Sequence, residues 1–94
     1  MDKVQLVHPE GKQAIAMDRQ KYELLQGALL DCLKSRQPQI WTELVPAVEE
    51  QLKKKKNTVQ GKLEWNLFWV ALDLVAKKKI NKDKSVTPIL YTLY

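Results

Sequence analysis

The sequence predicts a mainly α domain closed by a small β-hairpin, an α+β fold in which three helices share one core. Three observations carry that reading. Apolar residues recur at helical spacing in three stretches, around Leu29, Val48 and Val70. A polar turn at 81–85 is followed by alternation from Val86 to Tyr94, the period of a strand. Finally, 94 residues suit one domain, residues 1–94, long enough to bury a core without a metal or disulfide and too short for two cores.

Residues 1–17 are expected to form an N-terminal arm or short hairpin. Val4–Val7 and Gln13–Met17 are short, partly β-branched segments on either side of the turn-forming Pro9, Glu10 and Gly11. Asp18 then stands where its carboxylate can accept a backbone N–H from the first turn of a helix. That helix should run over about 19–34, with Tyr22, Leu25, Leu29, Cys32 and Leu33 on its apolar face. Gly27 costs it about 1 kcal/mol against alanine, which points to close approach of another element there.

A break at Ser35–Gln39, containing Pro38, leads into a second helix over about 42–54, with Thr42 as its cap and Leu44, Val48 and Leu52 along one face. Pro46 requires that helix to begin nearby, because proline is tolerated near the first turn, and the lysines at its far end suit the negative pole of the helix dipole. Asn57–Gly61 links it to a third helix over about 62–78. The return strand of the terminal hairpin should contain Ile89–Leu93, with Pro88 placing it on an edge or standing at its start.

The third helix is the element around which the others should be arranged. Trp65, Phe68, Trp69, Leu72, Val75 and Ala76 form one apolar stripe, and Leu63, Leu67, Val70 and Leu74 form a second beside it. Together they exceed the roughly 100° arc of a surface helix. A narrow ribbon of Lys62, Asn66, Asp73 and Lys77, with Glu64 at its edge, stays polar. The first stripe is expected to fill the core. The second is more than a thin core needs, so Leu63, Leu67, Val70 and Leu74 are candidates for an interface with a second copy of the chain. The competing cover for that surface is the arm Val4–Val7, or Tyr91, Leu93 and Tyr94 folded back over it.

The segments QIWTELVPAVEEQL, EWNLFWVALDLVAKKKI and TPILYTL resemble the second helix, third helix and wing of winged helix-turn-helix proteins. The likeness covers about Tyr22 to Leu93, and the chain resembles in particular a family of short uncharacterised bacterial winged-helix proteins. More distantly, it is similar to the N-terminal domain of restriction enzymes that cut modified DNA. The resemblance implies a winged-helix three-helix bundle with a C-terminal wing and a DNA-binding ancestry, while fold alone does not give function. One departure stands out: many relatives place a glycine after the third helix, where this chain has Lys79 before Ile80.

Composition narrows the function. A single cysteine, Cys32, on an apolar stripe reads as a buried thiol in a reducing cytosol, and with one histidine, His8, it offers no set of metal-ligand spacings. Glu49 and Glu50 are adjacent, so on a helix they point about 100° apart and form no acid–base pair. The three glycines are scattered and build no phosphate loop. No enzyme activity, cofactor or small-molecule substrate is therefore expected. There is no basic leader followed by an apolar run, and LFWVAL falls far short of the ~20 residues of a membrane span, so a cytoplasmic location is expected.

Charge is the remaining signal. The formal net charge is +5, but residues 1–52 carry six Lys or Arg against eight Asp or Glu, and residues 53–94 carry ten against three, so the halves stand at −2 and +7. Lys53–Lys56, Lys77–Lys79, Lys82 and Lys84 come from places that a winged helix would gather at its helix-turn-helix end and wing. Binding to duplex DNA without sequence preference is accordingly the leading expectation, through Lys53, Lys54, Lys55, Lys56, Lys82 and Lys84, with Lys62 and Asn66 nearest the groove. The competing expectation is a protein-interaction or dimerisation module that keeps the fold without binding DNA.

Overall fold

The three expected helices form, each with ends within two residues of expectation. The computed structural model describes residues 2–59 and 61–94; Met1 and Gln60, in the expected arm and linking loop, lie outside the described residues. In chain order the elements are β1 (Lys3–Gln5), β2 (Ala16–Asp18), α1 (Arg19–Ser35), β3 (Gln39–Ile40), α2 (Trp41–Lys54), α3 (Leu63–Ala76), β4 (Ile80–Asp83) and β5 (Leu90–Leu93). β1 and β2 pair antiparallel, Val4 opposite Met17, so the N-terminal segment is a hairpin. β3, β5 and β4 make a second antiparallel sheet with β5 in the middle and Tyr91 opposite both Gln39 and Lys82. Pro88 precedes β5, as a residue without an N–H should beside a central strand. β3 was not foreseen, being two residues long and too short to show a period.

α1 is the element that the others share, since it packs on α2 and α3 and touches both sheets. Tyr22, Leu25, Ala28, Leu29, Cys32 and Leu33 bury its apolar face. Asp18 caps it as expected, its carboxylate accepting the Lys21 N–H at 3.2 Å. At the other end the buried Gln39 amide donates to the carbonyls of Cys32 at 2.9 Å and Arg36 at 2.7 Å, which satisfies helix-end acceptors and ties β3 to α1. Gly27 does not mark a close approach: it is exposed, and a Cβ there would meet nothing within 4 Å.

α2 begins one residue before Thr42, with Ile40 in the capping position and no side chain closing the turn. Thr42 is thus inside the helix. Pro46 sits in the second turn, where its missing N–H would have met the carbonyl of Thr42; that residue is exposed, so water can take its place. Both α2 and α3 end in a left-handed lysine. Lys56 has φ 56° and Lys78 φ 60°, and around each the chain closes with paired backbone bonds: Lys56 to Lys53 and Asn57 to Leu52, then Lys78 to Val75 and Lys79 to Leu74. Lysine occupies the position that glycine usually takes in this closure, so the turn from α3 into β4 forms without one.

The second stripe of α3 enters the core, while the first divides: Leu72 is buried and Trp69 and Val75 pack on the core, but Trp65 and Phe68 do not. Leu67, Val70 and Leu74 are wholly buried in the chain's own core with Ala71, and Leu63 packs against that core half-buried. Hence these four leucine and valine positions are not a free interface. Trp65 and Phe68, expected in the core, are 53% and 41% exposed. Asn66 and Asp73, expected on an outward ribbon, are buried on the inward side. Asn66 turns back into the first helical turn, its amide donating to the Lys62 carbonyl at 2.8 Å.

Asp73 explains much of the inversion. Its carboxylate accepts from the Tyr22 hydroxyl at 2.5 Å, the Val7 N–H at 2.9 Å and the Lys77 ammonium at 3.0 Å. Lys77 also donates to the Tyr22 hydroxyl at 3.2 Å and lies 5.2 Å from the centre of that ring. A charge so placed is tolerated inside because every partner is a donor. The same carboxylate holds the N-terminal hairpin onto α3, with Leu6 and Met17 entering the core beside it.

Candidate functional site

The chain has an aromatic surface built from three elements. Trp41 is positioned where β3 passes directly into α2, and its ring tilts against Tyr91 of β5 at 5.6 Å and meets the edge of Phe68 of α3 at 6.3 Å between centroids. Phe68 continues to Trp69 at 6.2 Å, and Trp69 meets Trp65 at 6.3 Å and His8 of the N-terminal loop at 6.5 Å. These edge-on contacts suit the ring quadrupole and hold the rings in fixed relation.

Trp41 and Phe68 form a ridge between two recesses. One, of about 340 Å³, is walled by Ile40, Thr42, Pro88, Ile89 and Tyr91, with Lys82 at its edge. The other, of about 320 Å³, lies between the same ridge and Trp65, Lys62 and Glu64. Each is at the small end of the roughly 300–1,000 Å³ of ligand sites, the scale of one large apolar side chain. The Trp41 indole N–H points to the Glu64 carboxylate across a long 3.4 Å.

Electrostatics at the rim are uneven. Burial pushes the Lys82 ammonium below its ordinary pKa, Lys84 adds to that, and Glu10 opposes it. Lys84 itself pairs with Glu10 at 3.7 Å. Among the described residues no carboxylate lies within ion-pair distance of Lys62 or Lys82 (4.0 Å).

The residues expected to bind DNA do not form one surface. Lys53 pairs with Glu49 at 3.7 Å, Lys54 with Glu50 at 3.6 Å and Lys55 with Asp31 at 3.9 Å, while Lys56 closes the end of α2. Such exposed pairs are weak and leave the ammonium groups accessible. Lys62 and Lys82, however, face the recesses beside Trp41 at the start of α2, and a 14-residue helix puts roughly 20 Å between its two ends. Asn66 is withdrawn into the fold. Cys32 is buried, its thiol pushed up by burial and then by Asp31, and its Sγ lies 3.4 Å from the Gln51 side-chain oxygen.

Sequence reasoning missed Trp41 and Pro88 as surface-forming residues and assigned Trp65 and Phe68 to the core. Residues 3–90 match the model of a family described as a family of unknown function, DUF6958. The chain belongs to that family. No curated protein and no solved structure matches it. Every residue lining the two recesses except Tyr91 falls within the DUF6958 span.

Proposed function

We propose that this DUF6958 chain is a protein-interaction module on a winged-helix-like scaffold, and that its docking surface is the aromatic groove of Trp41, Trp65 and Phe68. The scaffold reading is supported by the order of three helices and a terminal hairpin, with the strand between α1 and α2 paired to the hairpin's return strand. The observation that carries the function is the outward face of α3. In a winged helix that reads DNA, the third helix brings Arg, Lys, Asn or Gln to base edges. Here the exposed face carries Trp65 and Phe68, its exposed charge is Glu64, and Asn66 is buried. A reducing cytoplasm is the setting that goes with this reading, supported by the lone buried thiol.

The second reading, sequence-tolerant binding of duplex DNA, is favoured by the +7 charge of residues 53–94. One titration separates the two. A short labelled duplex is titrated at two salt concentrations with the native chain and with Lys53→Glu/Lys54→Glu. The interaction module gives no binding that this charge reversal weakens, whereas salt-sensitive binding lost in that variant establishes the DNA reading. Sedimentation equilibrium at micromolar concentration then reports whether a second copy of the chain is the partner, the homodimer expected from the sequence.

A further inference from the structure

Two features of the groove bear on what it takes. Its floor is apolar and divided, with one recess on either side of the Trp41–Phe68 ridge. Its edges carry one ammonium per recess, Lys82 in the first and Lys62 in the second, and neither has a carboxylate at ion-pair distance among the described residues, whereas Lys84 beside Lys82 pairs with Glu10. Among the described residues that line the recesses Glu64 is the single acidic one, and it is turned toward the Trp41 indole. Lys82 is half-buried beside a second lysine, so an anion placed there relieves both lost hydration and like-charge repulsion.

We infer that the groove binds an acidic peptide segment, one that seats two large apolar side chains in the recesses and sets carboxylates against Lys62 and Lys82. This rests on the interaction-module reading and names its partner. Two apolar anchors on one segment fit because the recesses share a wall. Trp41 and Phe68 line both recesses, and side chains one helical turn apart, or two apart on a strand, are separated by about 5.4–6.8 Å, close enough to enter adjoining recesses. Carboxylates rather than phosphates are chosen because a strand of nucleotides needs an unbroken basic track beside its stacking rings. Glu64 interrupts such a track between Lys62 and the ridge, whereas a peptide can place its charges at the ends. A second copy of this chain fits less well, since a copy would bring its own lysines to the same rims.

The test is selection of random twelve-residue peptides from a display library on three baits: the native chain, Trp65→Ser/Phe68→Ser and Lys62→Glu/Lys82→Glu. All four positions are exposed or half-buried, and retained helical circular dichroism checks that each bait is folded. The native chain is expected to enrich peptides with two apolar anchors flanked by Asp or Glu, with about tenfold weaker binding to versions carrying Lys at the flanks at low salt. The charge-reversed bait should invert that preference. Anchored peptides without any acidic bias would overturn this inference and leave the interaction module standing. No enrichment beyond that of Trp65→Ser/Phe68→Ser would overturn both. A twelve-nucleotide oligothymidylate that binds the native chain and competes off the selected peptides would assign the groove to single-stranded nucleic acid instead. A dimeric mass abolished by Trp65→Ser/Phe68→Ser would assign it to a second copy.

Discussion

The inward and outward faces of α3 are both apolar, yet one is buried and the other is open. Leu67, Val70 and Leu74 have no exposure, while Trp65 and Phe68 keep about half of theirs. Hydrophobicity does not separate them, since the aromatic face has the larger rings. What separates them is reach. α1, the N-terminal hairpin and the β4 turn all arrive on the side marked by Asp73, because that carboxylate collects donors from Tyr22, Val7 and Lys77. On the opposite side, among the described residues, the rings of α3 meet Trp41 and His8. A core is therefore chosen partly by a polar residue that must be satisfied.

The strongest way to break this contrast is to mutate the inward face. Leu74→Ala removes a fully buried side chain and should cost about 3 kcal/mol, which in a domain of this size lowers the melting temperature by well over ten degrees. Val70→Asp should prevent folding, with the helical circular dichroism signal lost. If Val70→Asp stayed folded and merely changed its mass in sedimentation, the inward face would be an interface after all.

Next in size is the polar clasp. Asp73→Ala leaves the Tyr22 hydroxyl, the Val7 N–H and the Lys77 ammonium without their shared acceptor, and about 2–3 kcal/mol should be lost in urea unfolding. Release of the N-terminal hairpin should show as faster amide exchange at Leu6 and Val7, beyond any change at Leu25 or Leu29. Equal acceleration throughout would mean that Asp73 does not specifically hold the hairpin.

The clasp also titrates. Burial first, and then the bond to Asp73, raise the Tyr22 hydroxyl above its ordinary 10.0. Burial alone raises Tyr91. Burial pulls Lys77 down, but its bonds to Asp73 and Tyr22 outweigh that and leave it above 10.5. All three shifts mean that the folded chain holds these protons more tightly than the unfolded one. Stability is thus intact below about pH 10 and falls as pH rises through the folded values. Urea midpoints at about pH 8 and pH 11 should differ by less in Tyr22→Phe than in the native chain. An equal drop in both would place the alkaline sensitivity elsewhere.

How much of this was legible follows from the same contrast. The helices were readable because apolar spacing, the Asp18 cap and the breaks around Pro38 and Asn57–Gly61 are local signals. The role of each α3 stripe was not, because it depends on Val7 and Tyr22, which are 66 and 51 residues away from Asp73. A lone aspartate on an apolar helix was read as solvent-facing by default. The groove was hidden for a related reason: Trp41, Phe68 and Tyr91 meet only once β3 has paired with β5. The lysine runs were visible as charge, but their local work of closing α2 and α3 at Lys56 and Lys78 needs a positive φ that no pattern announces.

On the outward face the expected effects are smaller. Trp65→Ser removes a ring already 53% exposed and one edge contact with Trp69, so about 1 kcal/mol should be lost, a third of the cost at Leu74. A loss as large as that of Leu74→Ala would show that the face is structurally committed and not free to receive a partner.

The smallest effect sharpens the contrast most, because it compares two carboxylates on one helix. Glu64 is exposed and accepts a single long bond from the Trp41 indole at 3.4 Å, where Asp73 is wholly buried with three donors. Neutralising Glu64 as Glu64→Gln leaves an acceptor in the same place and alters no desolvated charge, so stability should change by less than about 0.5 kcal/mol. The same change removes the only acidic side chain among the described residues lining the recesses and should tighten binding of an acid-flanked peptide while leaving a neutral one unaffected. Thermal melting and a peptide titration on one sample read both quantities. A destabilised Glu64→Gln would mean that the long bond to Trp41 helps to hold the ridge in place, and the outward face would then have to be counted as part of the fold.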